Sequence, residues 1–150
     1  MSEVTASIHI DAPPERVWKI VMDPQRLAEW VTIHRRLDSA SSNNPAEGDE
    51  MVQTLHLRGV NFKVTWELEA IDAPHHASWH GRGPARSHAE TEYRLTSKGD
   101  GTKFDYRNVF HPPLGPLGAL ANRALVGGLP QREADASLRR LKALIEKHNS

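Results

Sequence analysis

Gln53, Thr91, Tyr93, Tyr106 and Asn108 are polar residues that keep step with apolar ones along stretches of two-residue alternation. Leu55, Trp66, Trp79, Phe104 and Phe110 share the same parity. A side chain on the apolar parity of a strand faces the core, where a polar group must find a partner or a ligand. Tyrosine offers one hydroxyl on an apolar ring, and asparagine and glutamine offer donor and acceptor together. Aromatic walls with a few polar anchors are the usual make-up of a small-molecule site. These residues are therefore the candidate ligand-binding set. For each one taken singly, the competing explanation is a packed core whose Tyr hydroxyls reach solvent at a sheet edge. Taken as a group they favour a pocket.

Other chemistry finds less support. The chain has nine His, and His75, His76, His80 and His88 lie close in sequence. Yet no HExxH spacing is present, and no acidic pair completes a ligand set at sequence level. His76, His80 and His88 also carry the parity opposite to Trp79 and Tyr93, so they should point to solvent. No metal is expected. Arg82 and Arg86 flank Gly83-Pro84-Ala85, and Arg35-Arg36 follow a short helix. Guanidinium groups could clamp a carboxylate at a cavity rim, but solvated surface charge explains them more simply. There is no GxSxG elbow for a serine nucleophile. The absence of Cys excludes disulfides, zinc ribbons and thiol nucleophiles. Catalytic residues stay unassigned and no cofactor is expected.

Charge narrows the partners. Lys+Arg and Asp+Glu both number 19, giving a formal charge of zero. A nucleic-acid binder normally carries a basic excess that neutralises phosphates, and none exists here. No apolar run approaches the roughly 20 residues that span a bilayer. The N-terminal stretch alternates instead of forming a basic cluster followed by an apolar run, so it does not read as a signal peptide. A cytoplasmic location is the expectation. At 150 residues the chain fits one domain spanning its whole length.

The elements that would position these side chains are legible from periodicity. Val4, Ala6, Ile8 and Ile10 alternate with polar residues, which predicts a strand. Asp11-Ala12-Pro13-Pro14-Glu15 predicts a helix start with Asp11 as the cap, and Val17, Trp18, Val21 and Met22 form its apolar side. Asp23-Pro24 opens a second short helix carrying Leu27, Trp30 and Val31. Six further strands follow, punctuated by polar loops; Gly99-Asp100-Gly101 is the strongest hairpin signal. After Pro116 the spacing becomes helical. An apolar piece over Leu117 to Val126 is interrupted by Gly127-Gly128 and Pro130. A longer helix with Leu138, Leu141 and Ile145 on one side is then predicted from Pro130 to Lys147. The result is an α+β fold: a bent, seven-stranded antiparallel sheet, two short helices after the first strand, and a terminal helix covering the apolar face. Trp18, Trp30, Ile8 and Leu141 should be buried.

The stretch IHIDAPPERVWKIVMDPQRLAEW, with Ala12-Pro13 before the helix, Val17-Trp18 within it and Trp30 after Asp23, resembles the START-like superfamily of polyketide cyclases and lipid-transport proteins, which includes the birch pollen allergen. TWELEAIDAP supports the likeness. The resemblance implies a helix-grip fold around a hydrophobic cavity and no particular reaction. Two functions stay open, beside a weaker third, a partner-binding module using the sheet edge or the apolar segment Leu117 to Leu129. The first is carriage of a lipid, aromatic or polyketide-like molecule. The second is a cyclase, aromatase or dehydratase acting in the same cavity. Proton transfer needs a titratable group inside, and Tyr93 and Tyr106, with ordinary values near 10, suit donation better than abstraction. This tilts the reading toward binding. Ala134 and Ala136 would leave room for a ligand, with a mouth near Gly81 to Ala85 and Gly127-Gly128. A homodimer is compatible with the sequence.

Overall fold

The structure, a computed structural model, describes residues 2–113, 115–116 and 129–147. Strand β1 (Ser2–Ile10) leads into helix α1 (Pro14–Val21), a single 3-10 turn (Pro24–Arg26) and helix α2 (Leu27–Trp30). Strands β2 (His34–Ala40), β3 (Glu50–Leu57), β4 (Val60–Asp72), β5 (His76–Arg82), β6 (His88–Lys98) and β7 (Gly101–His111) follow, and helix α3 (Leu129–Lys147) comes last. The seven strands form one antiparallel sheet in the order β1-β7-β6-β5-β4-β3-β2. This is the expected architecture. The predicted apolar piece at Leu117 to Val126, the Gly127-Gly128 interruption and the mouth assigned to it lie outside the described residues.

Turn chemistry sets the register. Lys98 pairs with Gly101, so β6 and β7 are joined by Gly99-Asp100 alone, with Gly99 at φ 60°. Arg58 and Gly59, at φ 50° and 78°, close the β3–β4 hairpin in the same left-handed sense that two-residue turns require. From these turns each strand runs with its apolar parity toward the helices.

Helix α1 departs from expectation at its start. Its N-cap is Pro13, with no side-chain cap, and Asp11 instead gives its backbone N–H to the Glu146 carboxylate at 2.9 Å. Two prolines in succession fix the backbone into the helix entry, so no capping acid is needed there. Asp23 does cap, accepting from the Gln25 N–H at 3.0 Å.

Helix α3 lies along β1. Gln131 donates to the Thr5 carbonyl and Lys142 to the His9 carbonyl, each at 2.8 Å. The Ser137 hydroxyl accepts the Thr32 N–H at 3.0 Å, tying α3 to the end of α2. Leu138, Leu141 and Ile145 are buried beneath it; burial of each contributes about 1.5–3 kcal/mol. Trp18, Trp30 and Leu141 are buried as expected, but Ile8 is only half-buried. The reason is its place on an edge strand: Phe104 faces it from β7, and no strand flanks it on the other side.

Candidate functional site

Pairing across the sheet brings the predicted residues into adjoining rows on the inner face. Leu68, Trp79, Thr91, Asn108 and Val4 form one row across five strands. Ala77, Tyr93, Tyr106 and Ala6 form the next. On the other side, Met51, Trp66, Gly81, Ala89 and Phe110 run parallel to them. Gln53 lies opposite Val64, and Leu55 opposite Phe62.

The face has two different ends. Toward α1 and α2, Trp30 meets Tyr93 and Phe104 edge-on, with ring centroids 6.1 and 6.3 Å away. Phe104, fully buried, and Leu95 complete this dry aromatic plug. Toward the other end, Tyr106, Asn108, Phe110 and Phe62 are only half-buried. Phe104 and the Tyr93 ring thus form the floor, and the more open residues form the walls. Two surface hollows lined by described residues, of about 440 and 580 Å³, lie mostly against outer-face side chains of β4 to β7 and β1, with Ala6, Tyr106, Trp79 and Thr91 also bordering them. For the inner space the described residues supply the lining, not the closure.

Polar groups in this lining are unevenly satisfied. The Trp66 indole donates to Gln53 Oε1 at 3.0 Å, and the Gln53 amide contacts His34 Nδ1 at 2.8 Å. Because the Gln53 oxygen already accepts from Trp66, its nitrogen must donate, so His34 Nδ1 accepts and the imidazole carries its proton on Nε2. Burial holds the His34 pKa below its ordinary value, against the opposing pull of the Asp38 carboxylate. Thr91 donates to Asn108 Oδ1 at 2.8 Å. Among the described residues nothing accepts the buried Trp79 indole N–H, and the same holds for Trp30. A buried donor without a partner costs about 1–3 kcal/mol.

His34 is a residue that alternation did not reveal. Strand β2 has register shifts between His34 and Arg36 and between Leu37 and Ser39. Each shift breaks the period of two, so parity along β2 could not be read. Its lowered pKa gives a stability prediction. Folding favours neutral His34, so this contribution is complete above the ordinary value of 6.5 and is lost as pH falls through the lower folded value. Thermal unfolding measured from pH 7 down to pH 5 should show a steeper loss in the wild type than in His34→Gln. Equal slopes would remove His34 from the buried network.

The two tyrosines of the chain both sit in this lining. Burial, then the neighbouring Tyr106, pushes the Tyr93 phenol up from 10; burial pushes Tyr106 up to about 12, with a hydrogen bond to Thr91 pulling the other way. Both are hydroxyl donors at neutral pH. Phenolate absorbance should stay absent in the folded protein through pH 10 and appear only with alkaline unfolding. A phenol ionising near 10 while the protein remains folded would show an exposed hydroxyl.

On the arginines, the structure favours surface charge. Arg36 binds Asp38 at 2.8 Å and Arg82 binds Glu50 at 3.2 Å, both on the exposed side. The loop between Arg82 and Arg86 is nonetheless unusual, because Ala85 and Arg86 both take left-handed backbone, at φ 54° and 66°. His76, His80 and His88 fall on the outer face as parity predicted.

Residues 1–146 match the family described as polyketide cyclase / dehydrase and lipid transport. The chain belongs to this family. Among individual members of similar sequence, Toxin Rv0910 of Mycobacterium tuberculosis is 24% identical over 127 residues, spanning 83% of this chain and 88% of that one. The crystal structure of TTHA0849 from Thermus thermophilus superposes with a TM-score of 0.80 at 20% identity, covering 99% of this chain and 100% of that one. The Zhui aromatase/cyclase from Streptomyces sp. R1128 superposes with a TM-score of 0.82 at 14% identity, covering 99% and 96%. At such identities these likenesses establish the shared helix-grip fold. Family membership supports a hydrophobic-ligand or cyclase role in general terms. No helix among the described residues is long and apolar enough to cross a membrane.

Proposed function

We propose that the chain binds an apolar or aromatic small molecule, of lipid or polyketide-like character, between the inner face of the sheet and the terminal helix. The observation that carries this reading is the row Trp79, Thr91, Asn108. Its indole N–H is buried without a partner among the described residues, and its Asn108 amide stands half-buried beside half-buried Tyr106 and Phe110. A dry, self-sufficient core would leave the Trp79 indole at a cost of about 1–3 kcal/mol, with the Asn108 amide N–H groups beside it. A carbonyl or hydroxyl on a mostly apolar ligand would accept from them, while its body covers the Trp66, Phe62 and Phe110 side chains. Apolar burial at about 25 cal/mol per Å² supplies affinity, and Trp79, Asn108 and Tyr106 supply orientation.

A second reading, conversion of the ligand, rests on His34. It is a neutral imidazole held at Nδ1 by Gln53, with its pKa lowered mainly by burial. Such a group can accept a proton near neutral pH, which the tyrosines cannot do. Binding and chemistry are separable. Titrating the fluorescent apolar dye anilinonaphthalene sulfonate should show one saturable site. Tyr106→Leu and Trp66→Ala should weaken it by about tenfold, equivalent to about 1.4 kcal/mol, while the proteins stay folded. Unchanged affinity in both variants would place the ligand elsewhere. If a ligand is turned over, His34→Gln should abolish turnover and leave binding within about twofold, less than about 0.5 kcal/mol.

A further inference from the structure

The outer face carries a cluster that the ligand-binding reading does not use. The β6–β7 register sets His88 directly opposite His111, and Glu90 lies two residues along β6 on the same face. The two imidazoles stack, with centroids 4.3 Å apart and planes 16° from parallel. His111 Nε2 lies 3.2 Å from Glu90 Oε2. One ligand atom from each of His88, Glu90 and His111 lies within 4.8 Å of the others. From β5, His80 faces Glu90, and its ring centroid is 5.9 Å from that of His88.

We propose that His88, Glu90 and His111 form a binding site for a divalent late first-row transition cation such as zinc. Two neutral imidazoles and a carboxylate suit this class of ion, and three protein ligands leave a position for water or a fourth donor. His80 neighbours His88 on β5 but lies outside the three-residue cluster. A tetrahedral zinc with bonds near 2.0–2.1 Å needs donor atoms about 3.3 Å apart, so the rings have to turn out of their stack until both nitrogens face one ion. Both lie at strand ends, His88 opening β6 and His111 closing β7.

The surroundings favour a cation. The adjoining outer-face hollow of about 580 Å³ is lined by Glu69, Glu90 and Glu92 together with His111. Arg107 lines it as well, and two neighbouring guanidinium groups are paired with carboxylates. Arg107 donates to Glu3 at 3.0 Å, and Arg82, which pairs across the ladder with His88, donates to Glu50 at 3.2 Å. The site is independent of the inner face, since side chains of this parity point away from it.

The test is calorimetric titration of zinc into the untagged, chelator-treated full chain at pH 7.5. One equivalent should bind in the micromolar range. His88→Ala, His111→Ala and Glu90→Gln should each weaken it by at least about tenfold, while His56→Ala and His75→Ala leave it unchanged. Circular dichroism would confirm that each variant is folded. Binding no tighter than millimolar would overturn the proposal. So would stoichiometric binding that survives all three cluster variants, or that is lost with His56 or His75.

Discussion

Replacing Trp30 by alanine should destabilise the protein by about 3–5 kcal/mol, the range for deleting a large buried aromatic. Trp30 is 2% exposed and is held edge-on between Tyr93 and Phe104, the rings that close one end of the grip. The cavity left by alanine cannot collapse easily, because the rigid sheet rows on one side and the α2–α3 contact on the other fix its walls. Trp30→Phe separates packing from hydrogen bonding. The indole N–H has no acceptor among the described residues, so its loss removes a liability instead of a bond, and only volume is forfeited. The phenylalanine variant should therefore cost about 1–2 kcal/mol, well below alanine. Chemical denaturation of the three proteins checks both figures. A penalty for alanine below 1 kcal/mol would mean that this end of the core does not hold the fold.

Gly81→Ala should lower affinity for an apolar ligand by about tenfold or more, the largest effect expected from a single methyl group. A Cβ at Gly81 would sit 2.7 Å from two carbons of the Trp66 ring and 2.8 Å from Val64 Cγ1. The ring lies flat across the glycine, so it has to swing away, and its indole then leaves Gln53 Oε1. Gln53 loses the contact that fixes which of its ends faces His34, and the wall of the proposed site is rebuilt. Overpacking of this kind costs about 1–3 kcal/mol of stability as well. Dye titration and denaturation on the same preparation measure both. Wild-type affinity in a folded Gly81→Ala protein would show that Trp66 does not line the ligand space.

Much of the architecture was legible because two local rules were obeyed almost everywhere. Alternation held along β1, β6 and β7, and Gly99-Asp100 gave a two-residue turn, so the inward set Thr91, Tyr93, Phe104, Tyr106 and Asn108 could be read directly. The switch to helical spacing located α3 at Leu129–Lys147, one residue from its predicted start. What escaped was set by departures from those rules or by distance. His34 was hidden because β2 slips register twice. The cap assigned to Asp11 failed because two prolines already fixed the turn, leaving that residue's backbone N–H to meet Glu146. The pairing of His88 with His111 was in fact encoded: counting back from the Gly99-Asp100 turn places them opposite each other. The two are 23 positions apart, so sequence proximity alone, which groups His75, His76, His80 and His88, does not join them.

The central claim, an apolar ligand held against the inner face, is tested most directly through the four tryptophan indole N–H resonances. They can be followed in a two-dimensional nitrogen–proton spectrum while anilinonaphthalene sulfonate is added. The Trp79 and Trp66 signals should shift in a saturable way with a common midpoint. Trp79 should move furthest, because its N–H has no acceptor among the described residues and gains one from the ligand. Trp30, packed in the closed end, should move least. Saturable dye binding that leaves Trp66 and Trp79 unmoved, with shifts confined to outer-face residues such as Glu69, Glu92 and Arg107, would contradict the account.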